Sequence, residues 1–484
     1  MEPVCTTRQG QVSGRISVEG VASFLGVPYA KAPRFGPPEP AEPWEGIRPA
    51  VAYGPTPPKA RYAPPLDALI PETFVAAGPG ESYLNLNVWT PSPTSGGAGL
   101  PVMVWIHGGS FTNGSSADPT YDGTAFARDG VVLVSVNYRL GTEGFLHLAG
   151  VPDNRGLLDQ IAALEWVRDN IASFGGDPGR VTVFGESAGA MGIGVLLGTE
   201  RARGLFRRAI LESGATHHFL RPASAALITA RLAEKLGIEP TAAAFAAVPE
   251  DVLRPAQAEL RAEIGARPDP ALWGEAALNM MPFEPVVDEH VLPASDCGVE
   301  LLVGSNREEY LLFLVPTERL RLVSEARLRG AAETYGLDPD KALALYRESR
   351  PQAMPGEIFD ALTTDWFYRV PAIRLAEAVP GSHLYEFAWR SPRFDGRLGA
   401  CHAVELGFVF DLVGSDAYTP MLGEGAPQAL ADTMHGAWVA FATTGDPGWA
   451  PYDRDSRTTM VFDEESATVD DPRPQERELW DGLR

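Results

Sequence analysis

The stretch Val181-Thr-Val-Phe-Gly-Glu-Ser-Ala-Gly-Ala190 decides how the rest of the chain is read. Val181 to Phe184 are β-branched or aromatic, the composition of a short buried strand. Gly185 to Gly189 spell GESAG, and Ala190 to Leu197 predict a helix. A strand that turns into a helix through Gly-x-Ser-x-Gly is a nucleophile elbow, with Ser187 held at the tip of a tight turn. Side chains at Gly185 and Gly189 would collide with neighbouring backbone, so both positions favour glycine. Alone, the pentapeptide also fits, less well, a glycine-rich loop whose serine caps the helix. The flanking elements and the rest of the chain favour the elbow.

Working outward, Pro101 to Ile106 and Val131 to Val136 are continuous apolar runs. Such runs suit central strands covered on both faces. Residues 156–173 carry Leu157, Leu158, Ile161, Leu164, Val167 and Ile171, a helical stripe. Arg208 to Ser213 predicts the strand after the elbow, and Ser82 to Trp89 alternates with period two. Strands alternating with helices imply an α/β protein, a mostly parallel central sheet with helices on both faces. Residues 1–30 predict a small antiparallel entry. Residues 31–80 are rich in proline and predict an irregular, wrapping surface segment. Beyond Gly214, alanine-rich helical stretches are interrupted by Pro240, Pro249, Pro255, Pro268 and Pro270. Strand-like segments return at Glu300–Val303, Leu384–Ala388 and Thr459–Phe462, and Gln428–Thr443 predicts a late helix. The expectation is one domain over 1–484, with helical excursions at about 215–282 and 316–380 covering the carboxyl edge of the sheet.

Composition bounds the function. The 484 residues are 45% hydrophobic and 21% charged, an ordinary globular balance. Lys+Arg 40 against Asp+Glu 63 gives a net charge of −23, which argues against nucleic acid or an anionic membrane as partner. The three cysteines, Cys5, Cys297 and Cys401, are too few and too dispersed for a disulfide framework. Met1 to Gly20 shows no basic region followed by an apolar run, and no apolar stretch of spanning length occurs. A cytoplasmic, reduced protein is expected. The sequence carries no signal of oligomeric state.

A serine nucleophile needs a base within hydrogen-bond reach, an acid to orient that base, and donors aimed where the oxyanion forms. Trp105-Ile-His-Gly-Gly-Ser-Phe111 follows an apolar strand, and its glycines let N–H groups point into a cavity. Gly108, Gly109 and Ser110 are the oxyanion candidates there, with the N–H of Ala188 directly after the nucleophile. Of eight histidines, His402 lies late in the chain between a glycine turn and an apolar run, the place of a base that follows the acid. His107 belongs to the oxyanion loop. His217 and His218 are placed at the mouth of the first excursion, as pocket-lining or solvated residues, and His147, His290, His383 and His435 read as structural or surface residues. Glu308 and Glu309 follow a strand end, where catalytic groups collect in parallel sheets.

Taken together, these segments resemble the type-B carboxylesterase family of cholinesterases and bacterial para-nitrobenzyl esterases. The matching stretches are Phe24–Ala30, Leu84–Val88, the oxyanion loop, Asn137–Gly141, Asn154–Gln160, Phe174–Pro178 and Phe184–Gly189, followed by the Glu308-Glu309 and His402 segments. The resemblance implies the α/β-hydrolase fold and hydrolysis of carboxylic esters through an acyl-enzyme, without metal or organic cofactor. It implies Ser187 as nucleophile and His402 as base. It selects Glu309, the second of the acidic pair, as the orienting acid. A family cysteine is replaced by Tyr83, the usual Gly or Ala of the oxyanion loop by Ser110, and a glycine after the acidic pair by Tyr310. The loop at 31–43 is shortened, and no tryptophan lies between Arg61 and Gly80 to hold a quaternary ammonium. The same machinery also fits a lactone, carbamate, amide or toxin ester. A non-catalytic binding protein on this fold is the remoter alternative, disfavoured by the presence of all three triad residues.

Overall fold

The computed structural model describes residues 2–78, 80–91, 99–288 and 297–483. His290, read above as structural or surface, lies outside the described residues. Two compact units are distinguished: Met1–Arg61, Glu72–Ala209 and His218–Val291 form the first, and Tyr62–Pro71, Ile210–His217 and Leu292–Arg484 the second.

In the first unit the apolar runs form strands. β1 (Ala22–Pro28), β2 (Asn85–Thr90), β3 (Leu100–Ile106), β4 (Val132–Val136) and β5 (Gly176–Glu186) lie in the order β5-β3-β4-β2-β1. β3 is parallel to both neighbours, with Val104 opposite Val134 and Val183. β2 runs antiparallel to β4 and to β1. The sheet is thus parallel at its centre and antiparallel toward the edge. The antiparallel strands are those read from alternation, the parallel ones those read from continuous apolar runs. Val102 to Ile106 are fully buried. Helices packed on this sheet include α1 (Arg155–Asn170), on the predicted stripe, and α2 (Ala188–Leu197), every residue of which is buried.

The first excursion holds α3 (Pro222–Leu236) and α4 (Glu250–Ala266), with shorter helices around them. Pro249 and Pro270 flank helix starts as expected, but α4 runs straight through Pro255. That proline lies only one turn and a half into the helix, so its missing N–H removes a single bond from a helix anchored by buried Leu253, Leu260 and Ile264.

In the second unit β7 (Glu300–Asn306), β8 (His383–Phe387) and β9 (Thr458–Phe462) are parallel, and β10 (Ala467–Asp470) closes the edge antiparallel to β9. β6 (Arg208–Glu212) carries the chain from the first unit to the second. The second excursion is helical, as read, and includes a π turn at Asp365–Arg369 between Pro355–Thr364 and Val370–Ala378. A buried ion pair fixes that turn: Arg369 grips both oxygens of Asp365 at 2.5 and 2.9 Å. The chain end docks on the same cluster through Glu476, which accepts from Arg350 at 2.6 Å.

Candidate active site

β3 sits between β4 and β5, so strand order reverses there, and ligands bind open α/β sheets at the carboxyl ends around such a reversal. The oxyanion loop leaves the carboxyl end of β3 and the elbow leaves that of β5, with Ile106 directly opposite Gly185. The elbow has the strain expected of it. Ser187 lies at φ 55°, ψ −125°, a region that L residues rarely occupy, and is 8% exposed. A Cβ at Gly185 would come within 2.6 Å of the Ile106 carbonyl oxygen, and one at Gly189 would fall on that same oxygen.

The glycine loop after β3 packs directly on Ser187. A Cβ at Gly108 would meet the Ser187 Cβ at 3.1 Å and Glu186 at 2.8 Å, so only glycine fits. Gly109, Ser110 and Phe111 all have positive φ, 107°, 54° and 58°. The Gly109 carbonyl turns back to accept the Thr112 and Asn113 N–H groups at 3.0 and 2.8 Å. Among the described residues no backbone carbonyl accepts the N–H of Gly109 or of Ser110. The Ala188 N–H heads α2, where helices leave their first N–H groups unsatisfied. Ser110 adopts the left-handed conformation a glycine would take, and its hydroxyl accepts from Arg261 of α4 at 3.3 Å.

His107 is a support. It is fully buried, stacked on Tyr138 at 4.5 Å, and its Nδ1 meets the Gly108 carbonyl at 2.9 Å. Burial pushes its pKa down to about 3, so it stays neutral near pH 7. Two supports of this loop were not legible in the sequence. Lys59 and Glu72, from the proline-rich segment read as surface, form an ion pair at 3.2 Å with side chains 0% and 4% exposed. Lys59 donates to the Gly114 carbonyl at 3.1 Å, and Glu72 accepts from the Gly114 N–H at 3.1 Å. A lysine and a glutamate among prolines give no periodicity, so only tertiary structure shows them to be buried. Nearby Asp118 is pushed up to about 7 by burial.

The motif residues of the 137–160 block prove to be scaffold. Arg139 holds both oxygens of Asp159 at 2.8 Å, with neither side chain more than 1% exposed. Arg155 spends its guanidinium on the carbonyls of Glu143, Pro152, Thr142 and Leu146. Tyr83, where the family has cysteine, donates to Glu143 at 3.2 Å.

In the second unit Glu309 and His402 meet. His402 Nδ1 lies 2.7 Å from Glu309 Oε2, and the Asn306 N–H donates to Oε1 at 2.8 Å. The His402 N–H donates to the Glu309 carbonyl at 3.1 Å. Glu309 is fully buried and His402 is 6% exposed. Glu308 faces the other way. It accepts from Arg390 and from the Ala400 N–H at 2.9 Å, so it braces the loop that carries His402. Tyr310 has φ −79°, ψ −9°, ordinary helical backbone, so this position does not need the glycine usual in the family. The rings of Tyr368, on the π turn, and Phe313 flank the His402 imidazole at 4.9 and 5.7 Å. Ser187 and the oxyanion loop belong to the first unit, and Glu309 and His402 to the second.

The remaining histidines take other partners. His147 meets Asp153 at 3.0 Å, His435 meets the Val409 carbonyl at 2.7 Å, and His383 packs edge-on against Phe441 and Trp449. His218 is buried and His217 half-buried. Among the described residues no cluster of three or more His, Cys, Asp or Glu is arranged to hold a metal ion, and no helix is long and apolar enough to cross a membrane.

The sequence pattern of the carboxylesterase family matches residues 1–480. The chain belongs to that family. It is 36% identical to the para-nitrobenzyl esterase of Bacillus subtilis (strain 168), over 98% of each chain. It is 33% identical to the phenmedipham hydrolase of Pseudarthrobacter oxydans, over 96% of each. The solved carboxylesterase of Geobacillus stearothermophilus superposes with a TM-score of 0.83 at 34% identity, covering 99% of this chain and 100% of that one. The fold is therefore that of the α/β-hydrolases, and the protein is a carboxylic ester hydrolase.

Proposed function

We propose that Ser187, His402 and Glu309 act as one catalytic triad, with Gly109, Ser110 and Ala188 donating to the oxyanion and Gly108 giving the loop room. The observation that carries this reading is the Glu309–His402 pair. A buried carboxylate on Nδ1 fixes the tautomer in which Nε2 holds a lone pair, the form that takes a proton from serine. Nε2 removes the Ser187 proton as Oγ attacks the ester carbonyl. The tetrahedral oxyanion is met by the three backbone N–H groups, which need no reorganisation as charge develops. Collapse breaks the bond to the alcohol, which leaves with the proton from His402. Water then repeats the sequence on the acyl-enzyme, releasing the acid and restoring Ser187.

A second reading keeps the same triad on a specialised substrate, a lactone, carbamate, amide or toxin ester. The similarity to a phenmedipham hydrolase favours keeping it open. Three dispersed cysteines support a reducing, cytoplasmic setting, and the charge of −23 supports a small-molecule substrate over nucleic acid.

Ser187→Ala should abolish turnover of nitrophenyl esters with the circular-dichroism spectrum unchanged, and an organophosphate should label the wild type once, at Ser187. Stable labelling of a different serine with Ser187 unmodified would overturn the assignment. A panel of increasing acyl length, extended to a carbamate and a lactone, separates the two readings.

A further inference from the structure

We propose that Arg261 makes the Ser187 site selective for esters that carry a carboxylate a few bonds from the scissile carbonyl. The inference rests on the reading of Ser187 as nucleophile and of Gly108 to Ser110 as its oxyanion loop.

Arg261 projects from α4 onto that loop. Its two terminal nitrogens reach the Ser110 hydroxyl at 3.3 Å and the Thr112 hydroxyl at 3.5 Å. Both bonds are at the long end of the range and both acceptors are neutral, so neither satisfies the charge. Among the described residues no carboxylate lies within ion-pair distance of Arg261. Other arginines of this unit differ: Arg254, two turns earlier on α4, meets Glu250 at 3.8 Å, and Arg34 meets Glu143 at 2.7 Å. In a chain with 63 acidic residues and 40 basic ones, a half-buried arginine with no carboxylate partner among the described residues is a cation open to a counter-ion from a ligand.

The position fits a substrate. Gly108 touches Ser187, and Ser110 is two residues further, at most about 7 Å of chain. Ser110, Thr112 and Arg261 are all half-buried, and each has a side-chain donor. An ester with its carbonyl at Ser187 and a terminal carboxylate would place that carboxylate where the guanidinium can exchange two weak neutral bonds for a charge-assisted pair. At long range the net charge of −23 repels such a substrate, so preference for it has to come from a local cation of this kind. The rarer serine at position 110 belongs to the same arrangement, because its hydroxyl holds the guanidinium at the loop when substrate is absent.

The test compares ethyl pentanoate with monoethyl glutarate, in which a carboxylate replaces the terminal methyl. Both are followed by pH-stat with wild type, Arg261→Gln, Arg261→Lys and Ser187→Ala, after thermal melts of each. Glutamine keeps a neutral donor for Ser110 and loses the charge; lysine keeps the charge. The ratio of kcat/KM for the anionic over the neutral ester should fall about tenfold or more in Arg261→Gln, the contribution of one charge-assisted hydrogen bond, and clearly less in Arg261→Lys. A ratio within about twofold of wild type in Arg261→Gln overturns the proposal. That holds whether both rates stay constant or fall together, the latter meaning that Arg261 only positions the loop. Turnover of either ester by Ser187→Ala would fault the nucleophile assignment instead, and leaves the ratio comparison separate.

Discussion

Glu308 and Glu309 are adjacent and chemically identical, yet the backbone after β7 sends them to opposite duties. Glu309 takes the His402 Nδ1 and the Asn306 N–H; Glu308 takes Arg390 and the Ala400 N–H. From residue types alone either glutamate would serve. Only the family register distinguished them, and the contacts now give each its own partner. Glu309→Gln should lower kcat by orders of magnitude through the wrong histidine tautomer, an effect of ~10⁴ in the serine-protease example. Glu308→Gln still accepts the Ala400 N–H and should lose ~10-fold or less, about 1.4 kcal/mol of barrier. Steady-state kcat of both variants on one activated ester checks this, and the reverse order would mean a register error of one residue. Asp118 gives a prediction of a different kind. Its carboxyl is raised from 3.8 to about 7 by burial, opposed by hydrogen bonds from Thr120. A raised folded-state pKa means the native state holds the proton more tightly, so this contribution is present below about 4 and is lost as pH rises through about 7. Asp118→Asn removes the dependence. The Tm of the variant minus that of wild type should therefore climb from pH 4 to about 7 and then level off. A difference that stays flat across this window would show that Asp118 is ionised in the folded protein.

At the scale of elements, the elbow shows why some glycines are fixed and others tolerant. Gly189 and Gly192 lie on one face of α2, three residues apart. A methyl group at Gly189 would strike the Ile106 carbonyl, a backbone atom of β3 that cannot move without breaking the sheet. At Gly192 it would meet the ends of Gln160 and Leu157 at 3.3 to 3.4 Å, side chains that can give way. Gly189→Ala should cost more than about 4 kcal/mol or fail to fold. Gly192→Ala should stay within about 1 kcal/mol of wild type, because alanine recovers roughly 0.5–1 kcal/mol of helix propensity against the tighter contact. Urea melts of the two variants check the pair; equal losses would mean that helix composition rather than the strand contact sets the requirement. Elements defined by a strong local pattern were legible: β3, β4, α1 and the elbow lie within a few residues of their expected bounds. Elements set by tertiary context were not. The strand β10 has four exposed residues and exists because β9 offers an edge. The π turn that brings Tyr368 to His402 has no local signature, and α4 overrides its own proline by burying Leu253, Ala256, Leu260 and Ile264. The segment 31–80 is irregular, as its prolines require, but it also carries the Lys59–Glu72 pair under the oxyanion loop.

Across the whole molecule, the cysteines join composition to environment. A chain that depends on disulfides places its sulfurs in pairs; this one has Cys5 and Cys401 buried singly and Cys297 half-buried. Where its family has a cysteine, Tyr83 fills the position and is held by a hydrogen bond to Glu143. Cohesion in that region comes from buried polar networks such as Arg139–Asp159, and removing one member of such a pair costs about 3–5 kcal/mol. Stability should therefore be indifferent to thiol redox state, and reactivity should follow burial. Burial pushes the Cys5 thiol up to about 12 and also holds the Cys401 thiol well above the usual range, and a thiol in that state is a poor nucleophile as well as an inaccessible one. A chromogenic disulfide reagent added to the native protein should titrate one thiol quickly, Cys297, and all three only after unfolding in guanidinium without reductant. Incubation with reductant should leave both the Tm and the ester turnover unchanged. Fewer than three thiols in the unfolded, unreduced protein, or a lower Tm after reduction, would mean that two of these cysteines pair across the molecule. The cytoplasmic setting proposed from their dispersal would then fall with them.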